Sequence, residues 1–169
     1  MQEAPLGKKE YDNAQNEQQA AAIKQILQLF GISGDTADEN FQKEIGHTRV
    51  SFWDCPLNRD YAERLRSDNL PLTEAKSENR INRIAGTADP RQTERVPAGA
   101  RFDFKLTIKE FDGDDKALFD TLLQGLKLLE WDSLGGNGSR GYGKVAFTAI
   151  TRNGEDISSC FAAIQPFAK

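Results

Sequence analysis

The feature that most constrains the fold is a glycine-rich segment, residues 135–144, together with its place between predicted elements. Upstream of it, leucine and phenylalanine recur at helical spacing, which predicts a helix from about residue 116 to residue 129. Apolar and polar residues alternate over residues 101–108, which predicts a half-buried strand before that helix, and residues 144–151 are predicted to form a strand after the segment. The clearest unit of the chain, residues 101–151, is therefore strand, helix, glycine-rich segment, strand.

This order excludes two nucleotide-binding motifs that the glycine-rich segment matches by spacing. Residues 136–141 match G-x-G-x-x-G, the dinucleotide fingerprint, and residues 138–144 match G-x-x-x-x-G-K, the start of a P-loop. In both motifs a strand precedes the glycines and a helix follows them, because the helix N-terminus binds the phosphate. Here the helix comes first. Val145 also stands where the P-loop needs a serine or threonine for Mg²⁺, so neither motif is predicted to function.

The same segment has the residue types of an RNA contact. Glycine allows another backbone to approach closely and leaves N–H groups open to form an anion-binding nest. Arg140 and Lys144 add positive charge, and Tyr142 offers a ring for stacking on a base. The alternative is a flexible connection with incidental charges. The residues alone leave both interpretations open.

Basic residues are unevenly placed along the chain, whose net charge of −4 by itself argues against a polyanionic partner. Residues 74–101 contain six basic residues against four acidic ones. The basic ones are Lys76, Arg80, Arg83, Arg91, Arg95 and Arg101. A local basic stretch on an acidic chain is compatible with RNA binding on one face, although it does not require it.

Length and composition predict a single domain over residues 1–169 and a cytoplasmic location. A chain of 169 residues with 38% hydrophobic residues is large enough for one core. No apolar run is long enough to span a membrane, and the N-terminus has no apolar stretch typical of a signal peptide. Cys55 and Cys160 lie far apart and form no CxxC motif, so a reduced setting is expected.

Outside the central unit the predicted elements are fewer. A helix is predicted over residues 12–30, ended by Gly31, and is followed by a loop over residues 32–46 and a strand over residues 47–53. Residues 54–100 hold four of the six prolines and show no long apolar periodicity. A stretch of this length is too long for an ordinary connection, so it is predicted to be a functional insertion.

No catalytic or metal-binding constellation is predicted. His47 is the sole histidine of the sequence, and a lone histidine at a strand edge is more often incidental than a general base. The acidic run at residues 112–115 lacks the spacing of an EF-hand and is predicted to cap the following helix. No cofactor is therefore expected in this chain.

Several stretches together resemble the RAMP superfamily of CRISPR-associated proteins, and within it the Cas7-type backbone subunit of Csm (type III-A) effector complexes. SLGGNGSRGYGKV, residues 133–145, resembles the glycine-rich motif of the superfamily. DCPL at residues 54–57, EAKSENRINRIAGTADPRQTERVPAGARFDF at residues 74–104 and LKLLEWDSLGG at residues 126–136 also agree with this subunit. The similarity covers about residues 29–147, and the stretch at residues 74–104 is its most specific part.

The resemblance implies a ferredoxin-like (RRM-like) α+β fold with a long inserted β-hairpin, the thumb, at about residues 54–100. It implies subunits that bind CRISPR RNA, stack on neighbouring copies and other Csm-type subunits, and help define periodic cleavage of target RNA in antiviral defence. The thumb would insert between guide and target, with Ile81, Ile84 or Val96 against the bases. The RNA-binding residues expected on this basis are Gly135, Gly136, Gly138, Ser139, Arg140, Gly141, Tyr142, Gly143, Lys144, Lys76, Arg80, Arg83, Arg91 and Arg95.

The family pattern also includes segments that this sequence does not contain. They are a first strand, a loop with the aspartate that cuts target RNA, and a helix start similar to PGSSLKGK. We therefore expect a chain that lacks the first strand, either as a fragment or as a subunit completed by another polypeptide, and we assign no catalytic residue. Two alternatives stay open. One is a metal-dependent endoribonuclease subunit whose aspartate lies in the missing part, with Mg²⁺ serving cleavage by the whole complex. The other is an RRM-like protein-interaction domain without RNA.

Overall fold

A computed structural model describes residues 6–33 and 38–167, and it has the mixed composition of an α+β protein. The helices are α1 (Lys8–Asp12), α2 (Glu17–Phe30), α3 (Glu39–Ile45), α4 (Arg59–Ser67), α5 (Leu118–Trp131) and α6 (Ser158–Ala162). The strands are β1 (Val50–Phe52), β2 (Glu74–Asn82), β3 (Thr87–Arg95), β4 (Leu106–Ile108), β5 (Thr151–Arg152) and β6 (Glu155–Asp156). Within the described ranges they form three two-stranded sheets, β1 with β4, β2 with β3 and β5 with β6.

The chain divides into two compact units. Residues 1–51 and 107–169 form the first unit, and residues 52–106 form the second. The predicted insertion at residues 54–100 lies within the second unit, and the glycine-rich segment lies within the first.

Helices α2 and α3 form one buried hydrophobic cluster of the first unit. The predicted helix over residues 12–30 is divided at residues 13–16, because the Asn16 side chain accepts a hydrogen bond from the Gln19 amide (2.9 Å) and starts α2. Gly31 ends α2 with a φ of +86°, as the glycine at the end of a helix usually does. Ile23 and Leu27 of α2 pack in one buried cluster with α3.

The prediction of a loop over residues 32–46 is wrong, because α3 occupies part of it. Asp38 caps this helix by accepting a hydrogen bond from the Phe41 amide (2.9 Å). Phe41 and Ile45 stand four residues apart and are both buried. Two apolar residues are too few to produce a visible helical periodicity, so tertiary burial decides this helix.

A buried ion pair joins the start of β1 to the loop before α5. The Arg49 guanidinium lies 2.7 Å from the Asp114 carboxylate, and the two side chains are 7% and 11% exposed. Arg49 also donates to the Ile45 carbonyl (2.9 Å), and its guanidinium lies 5.0 Å from the centre of the Phe111 ring. The hydrogen bond from Arg49 lowers the pKa of Asp114, and the Phe111 amide acts in the same direction, while burial opposes them.

The prediction that the acidic run caps α5 is wrong, because the N-cap residue is Ala117 and no side chain caps the helix. Asp115 accepts a hydrogen bond from the Ala117 amide (2.9 Å), directly before the first residue of α5. Asp114 is instead held by Arg49 and by the Phe111 amide (3.0 Å). The helix begins at Leu118 and ends at Trp131, two residues later at each end than predicted.

The predicted strands are shorter than expected. The strand predicted over residues 47–53 is limited to Val50–Phe52. The strand predicted over residues 101–108 is limited to Leu106–Ile108. The strand predicted over residues 144–151 is wrong for residues 144–150, which belong to no sheet. Here the Phe147 amide donates to the Glu130 side chain (2.7 Å) instead of a neighbouring strand, and Ala149 has a φ of +52°.

The second unit contains α4 and the longest strand pair. Sequence periodicity missed α4, which is capped by Asn58 through the Tyr61 amide (3.2 Å) and buries only Tyr61 and Leu65. Strands β2 and β3 are antiparallel over nine residue pairs, from Glu74 opposite Arg95 to Asn82 opposite Thr87.

Candidate nucleic-acid interface

The glycine-rich segment is an ordered loop that is closed on itself. The Leu134 amide donates to the Gly143 carbonyl (2.8 Å) and so joins the two ends of the loop. Between them, residues Gly138–Arg140 form one 3₁₀ turn, preceded by Asn137 with a φ of +60° and followed by Gly141 with a φ of +77°. The segment therefore has one defined conformation, which is set by the end of the preceding helix and by the 3₁₀ turn.

Two glycines of the loop lie in close contact with neighbouring residues. A Cβ atom on Gly143, whose φ is +71°, would lie 2.1 Å from the Leu134 carbonyl oxygen. A Cβ atom on Gly138 would lie 2.1 Å from the Ser133 hydroxyl oxygen. Real Cβ atoms do not approach other atoms this closely, and the Leu134 carbonyl is backbone, so position 143 is limited to glycine by close packing. At position 138 a rotation of the Ser133 side chain would relieve the contact with its hydroxyl.

Other glycines of the loop have no such packing constraint. A Cβ atom on Gly135, Gly136 or Gly141 would meet no atom within 4 Å. Gly135 and Gly141 have positive φ, whereas Gly136 does not. Close packing inside the chain therefore does not explain why position 136 is glycine.

Several backbone amides of the loop donate no hydrogen bond within the described part of the chain, and we call them open amides. The amides of Arg140 and Gly141 donate to the carbonyls of Asn137 and Gly138 (both 2.9 Å) within the turn. Within residues 6–33 and 38–167, the amides of Gly135, Gly136 and Ser139 donate to no acceptor, and these three residues are exposed. Neighbouring open amides form a concavity that suits an anionic oxygen.

The remaining side chains of the loop differ in their accessibility. Tyr142 is 7% exposed, so its ring packs inside the loop and does not offer the stacking surface expected from the sequence. The Lys144 ammonium donates to the carbonyls of Trp131 (3.2 Å) and Asp132 at the end of α5. A cation there complements the helix dipole, so Lys144 has a structural role. Arg140 is exposed at the end of the 3₁₀ turn.

The hairpin β2–β3 carries the second group of predicted RNA-binding residues. Its turn is set by the Asn82 side chain, which accepts hydrogen bonds from the amides of Ile84 (3.0 Å) and Ala85 (3.2 Å). Gly86 completes the turn with a φ of +66°. Ile81 and Ile84 at this end are 66% and 100% exposed, which is unusual for isoleucine and leaves an apolar tip.

Charge is distributed unequally along the hairpin. Three of its basic residues have acidic partners: Lys76 with Glu78 (3.1 Å), Arg91 with Asp89 (3.1 Å) and Arg95 with Glu74 (2.5 Å). Arg80 and Arg83 are exposed beside the apolar tip. Neither has an ion-pair partner in the described part of the chain. The cations open to a polyanion are thus concentrated at the tip.

The described residues do not provide a metal centre or a membrane span. No three His, Cys, Asp or Glu side chains in residues 6–33 and 38–167 lie together so as to hold a metal ion. Across the same residues, no helix has both the length and the apolar content needed to cross a membrane.

Comparison with known proteins agrees with the resemblance seen in the sequence. The model of the RAMP superfamily matches residues 7–146. The protein named CRISPR system Cms endoribonuclease Csm3 from Streptococcus thermophilus is 41% identical over 129 residues, which cover 74% of this chain and 54% of that protein. The protein of the same name from Mycobacterium tuberculosis is 41% identical over 117 residues, covering 60% and 49%.

A third relative of that name, from Methanothermobacter thermautotrophicus, is 48% identical over 84 residues, covering 50% of this chain and 34% of the relative. The chain thus spans about half the length, or less, of the curated relatives it matches.

Proposed function

The chain belongs to the RAMP superfamily, and on that basis we propose that it is the RNA-binding backbone subunit of a type III CRISPR ribonucleoprotein. In this role it grips guide RNA, contacts neighbouring copies of itself and other Csm-type subunits, and helps define periodic cleavage of target RNA in cytoplasmic antiviral defence. The similarity to three proteins named Csm3 supports this choice within the superfamily.

The observation that carries the proposal is the set of open amides at Gly135, Gly136 and Ser139. These exposed amides are available to an acceptor from outside the described chain, and phosphate oxygens are strong acceptors that backbone N–H groups commonly bind. Arg140 adds a positive charge at the same turn. Because backbone amides recognise the phosphate and not the base, the loop would hold guide RNA of any sequence, as a backbone subunit must.

The hairpin β2–β3 is proposed to be the thumb. Arg80 and Arg83 would contact phosphates, while Ile81 and Ile84 would lie against bases where guide and target separate. Exposed apolar residues between exposed arginines fit this arrangement, because apolar wedges unstack bases while cations hold the backbone.

The strand pairs are proposed to belong to a ferredoxin-like sheet in the assembled subunit. Strands β1 and β4 form a pair of only three residues each, and residues 144–150 belong to no sheet. An additional strand would pair with these backbones. Such a strand would come from a further segment or from another polypeptide.

Salt-dependent binding to labelled single-stranded RNA tests the proposal. The double variant Arg80→Ala/Arg83→Ala removes two phosphate contacts and should reduce the slope of log K against log salt by about 1.4. The control Arg59→Ala/Arg66→Ala removes the same charge from α4 of the same unit and should leave most of the slope unchanged. Absence of salt-sensitive RNA binding by the unmodified chain would favour a protein-interaction domain instead.

A second candidate function, endoribonuclease activity, is supported by the relatives, which are named endoribonucleases. It would need an aspartate and a divalent metal, proposed as magnesium, supplied with the rest of the complex. Regularly spaced target cleavage by the assembled complex, abolished by a chelator, would support it.

A further inference from the structure

We propose that Trp53 and Lys105 form a base-stacking site for single-stranded RNA, separate from the glycine-rich loop and from the hairpin. The inference rests on the proposed function, because it assumes that RNA is the ligand. It adds a contact with the face of a base to contacts that otherwise involve phosphates and an apolar wedge.

The two residues face each other across neighbouring backbone segments. The Trp53 amide donates to the Lys105 carbonyl (3.1 Å), which continues the pairing of β1 and β4 by one residue. The Lys105 ammonium lies 4.7 Å from the centre of the Trp53 ring. This cation–π contact holds the lysine against one part of the ring, yet Trp53 remains 55% exposed. A large aromatic surface is therefore fixed in place and open to solvent.

The Lys105 ammonium places one positive charge beside the ring, where it can bind a phosphate. Lys105 is exposed and has no carboxylate partner in the part of the chain that the structure describes. The Asp103 carboxylate, two residues away along the chain, accepts a hydrogen bond from the Asn58 side chain (2.8 Å). An indole ring beside an open ammonium can stack on a base while the cation binds the adjoining phosphate, which is how single-stranded nucleic acid is usually held.

The opposite face of the same backbone pair has a different character. Side chains alternate along a strand, so Phe52 and Phe104 point away from Trp53 and Lys105. Their rings lie 6.3 Å apart. That face fits an apolar protein contact, whereas the Trp53 face combines an aromatic plane with charge and fits RNA. The other tryptophan, Trp131, lies 5.8 Å from the Phe167 ring and serves as an internal comparison.

Tryptophan emission of the full 169-residue chain tests the site. A Trp131→Phe background leaves Trp53 as the single emitter, since the chain has two tryptophans. The probes are a uridine decamer and an abasic ribose-phosphate decamer of equal charge. The uridine decamer should quench Trp53 and the abasic decamer should not, because only bases stack. With both tryptophans present, Trp53→Ala should weaken decamer binding by about five- to a hundredfold, while Trp53→Phe should retain most of the affinity. Phe52→Ala on the opposite face is the control and should retain it as well.

Each outcome separates this inference from the proposed function. Unchanged Trp53 emission while the decamer binds through Arg80 and Arg83 overturns the stacking site and leaves the RNA-binding function intact. Equal quenching by the abasic decamer also overturns it, since the contact would then be electrostatic alone. Failure of every variant and of the unmodified chain to bind either decamer removes both proposals. The circular-dichroism spectrum of Trp53→Ala is the folding control. If it matches that of the unmodified chain, a loss of RNA affinity does not result from unfolding.

Discussion

Replacing single glycines of the loop by alanine should distinguish the glycines that stabilise the fold from the glycine that is proposed to contact RNA. Gly143→Ala, Gly141→Ala and Gly136→Ala add the same methyl group to one loop. At position 143 the φ is +71° and the new Cβ would lie 2.1 Å from the Leu134 carbonyl oxygen. At position 141 the φ is +77° but the space is open, and position 136 has neither constraint.

These structural differences allow the change in the free energy of unfolding to be estimated for each variant. A left-handed conformation costs a residue with a Cβ about 1–2 kcal/mol. Displacing the Leu134 carbonyl also breaks the loop-closing hydrogen bond from the Leu134 amide to Gly143, which contributes about 0.5–1.5 kcal/mol. Gly143→Ala should therefore lower the free energy of unfolding by about 1.5–3.5 kcal/mol. Gly141→Ala should lower it by about 1–2 kcal/mol, and Gly136→Ala should change it by less than about 0.5 kcal/mol.

Urea unfolding followed by Trp131 emission measures these values in a Trp53→Phe background. Trp131 is a suitable reporter, because its carbonyl accepts a hydrogen bond from Lys144 at the end of the loop (3.2 Å). In parallel, Gly136→Val should weaken guide RNA binding while leaving the urea midpoint in place, since its side chain would cover the open amides. Equal stability of the Gly143→Ala and Gly136→Ala variants would refute the close packing on which this order depends. If Gly136→Val binds RNA with unchanged affinity, the loop only connects α5 to the following segment and does not bind RNA.

Other perturbations test the ion pair and the end of α5. Arg49→Ala leaves the buried Asp114 carboxylate without its partner and should cost about 3–5 kcal/mol in urea unfolding, with Arg59→Ala as an exposed control. Because Arg49 lowers the pKa of Asp114, the stabilisation by this pair is complete above the ordinary aspartate pKa of about 3.9 and is lost as the pH falls below it. Asp114→Asn should therefore make the free energy of unfolding depend less on pH in the acidic range. An unchanged pH dependence would contradict the stabilisation by the Arg49–Asp114 pair. Lys144→Ala should lower stability by about 0.3–1 kcal/mol through the helix end, a loss that high salt should reduce.

Sequence patterns predicted the long helices and missed the short ones, for a definite reason. Helix α5 shows a repeated apolar stripe and was located within two residues at each end. Helices α3 and α4 each bury two residues, which is too little periodicity to distinguish from a loop. Strand lengths were overestimated because alternation predicts an extended backbone, whereas pairing requires a neighbouring strand.

For the candidate site, the sequence indicates residue types, whereas the contacts of each side chain come from the tertiary structure. The sequence placed Tyr142 and Lys144 among RNA contacts, but packing buries the tyrosine and places the ammonium on carbonyls of α5. It also placed five basic residues in the hairpin without indicating which carry open charge. The pair Trp53 and Lys105 escaped notice, since they are 52 positions apart in the sequence and only strand pairing brings them together.

By itself the order of residues determined the class of loop: a helix before the glycines and no helix after them exclude both nucleotide-binding motifs, and the motif stretches indicate the superfamily. These properties depend on neighbours along the chain, which a sequence contains in full. Tertiary structure alone decided which glycines are required by contact, which amides stay open and which arginines lack an acidic partner. Those properties depend on distances between residues far apart in the chain, and local sequence does not specify such distances.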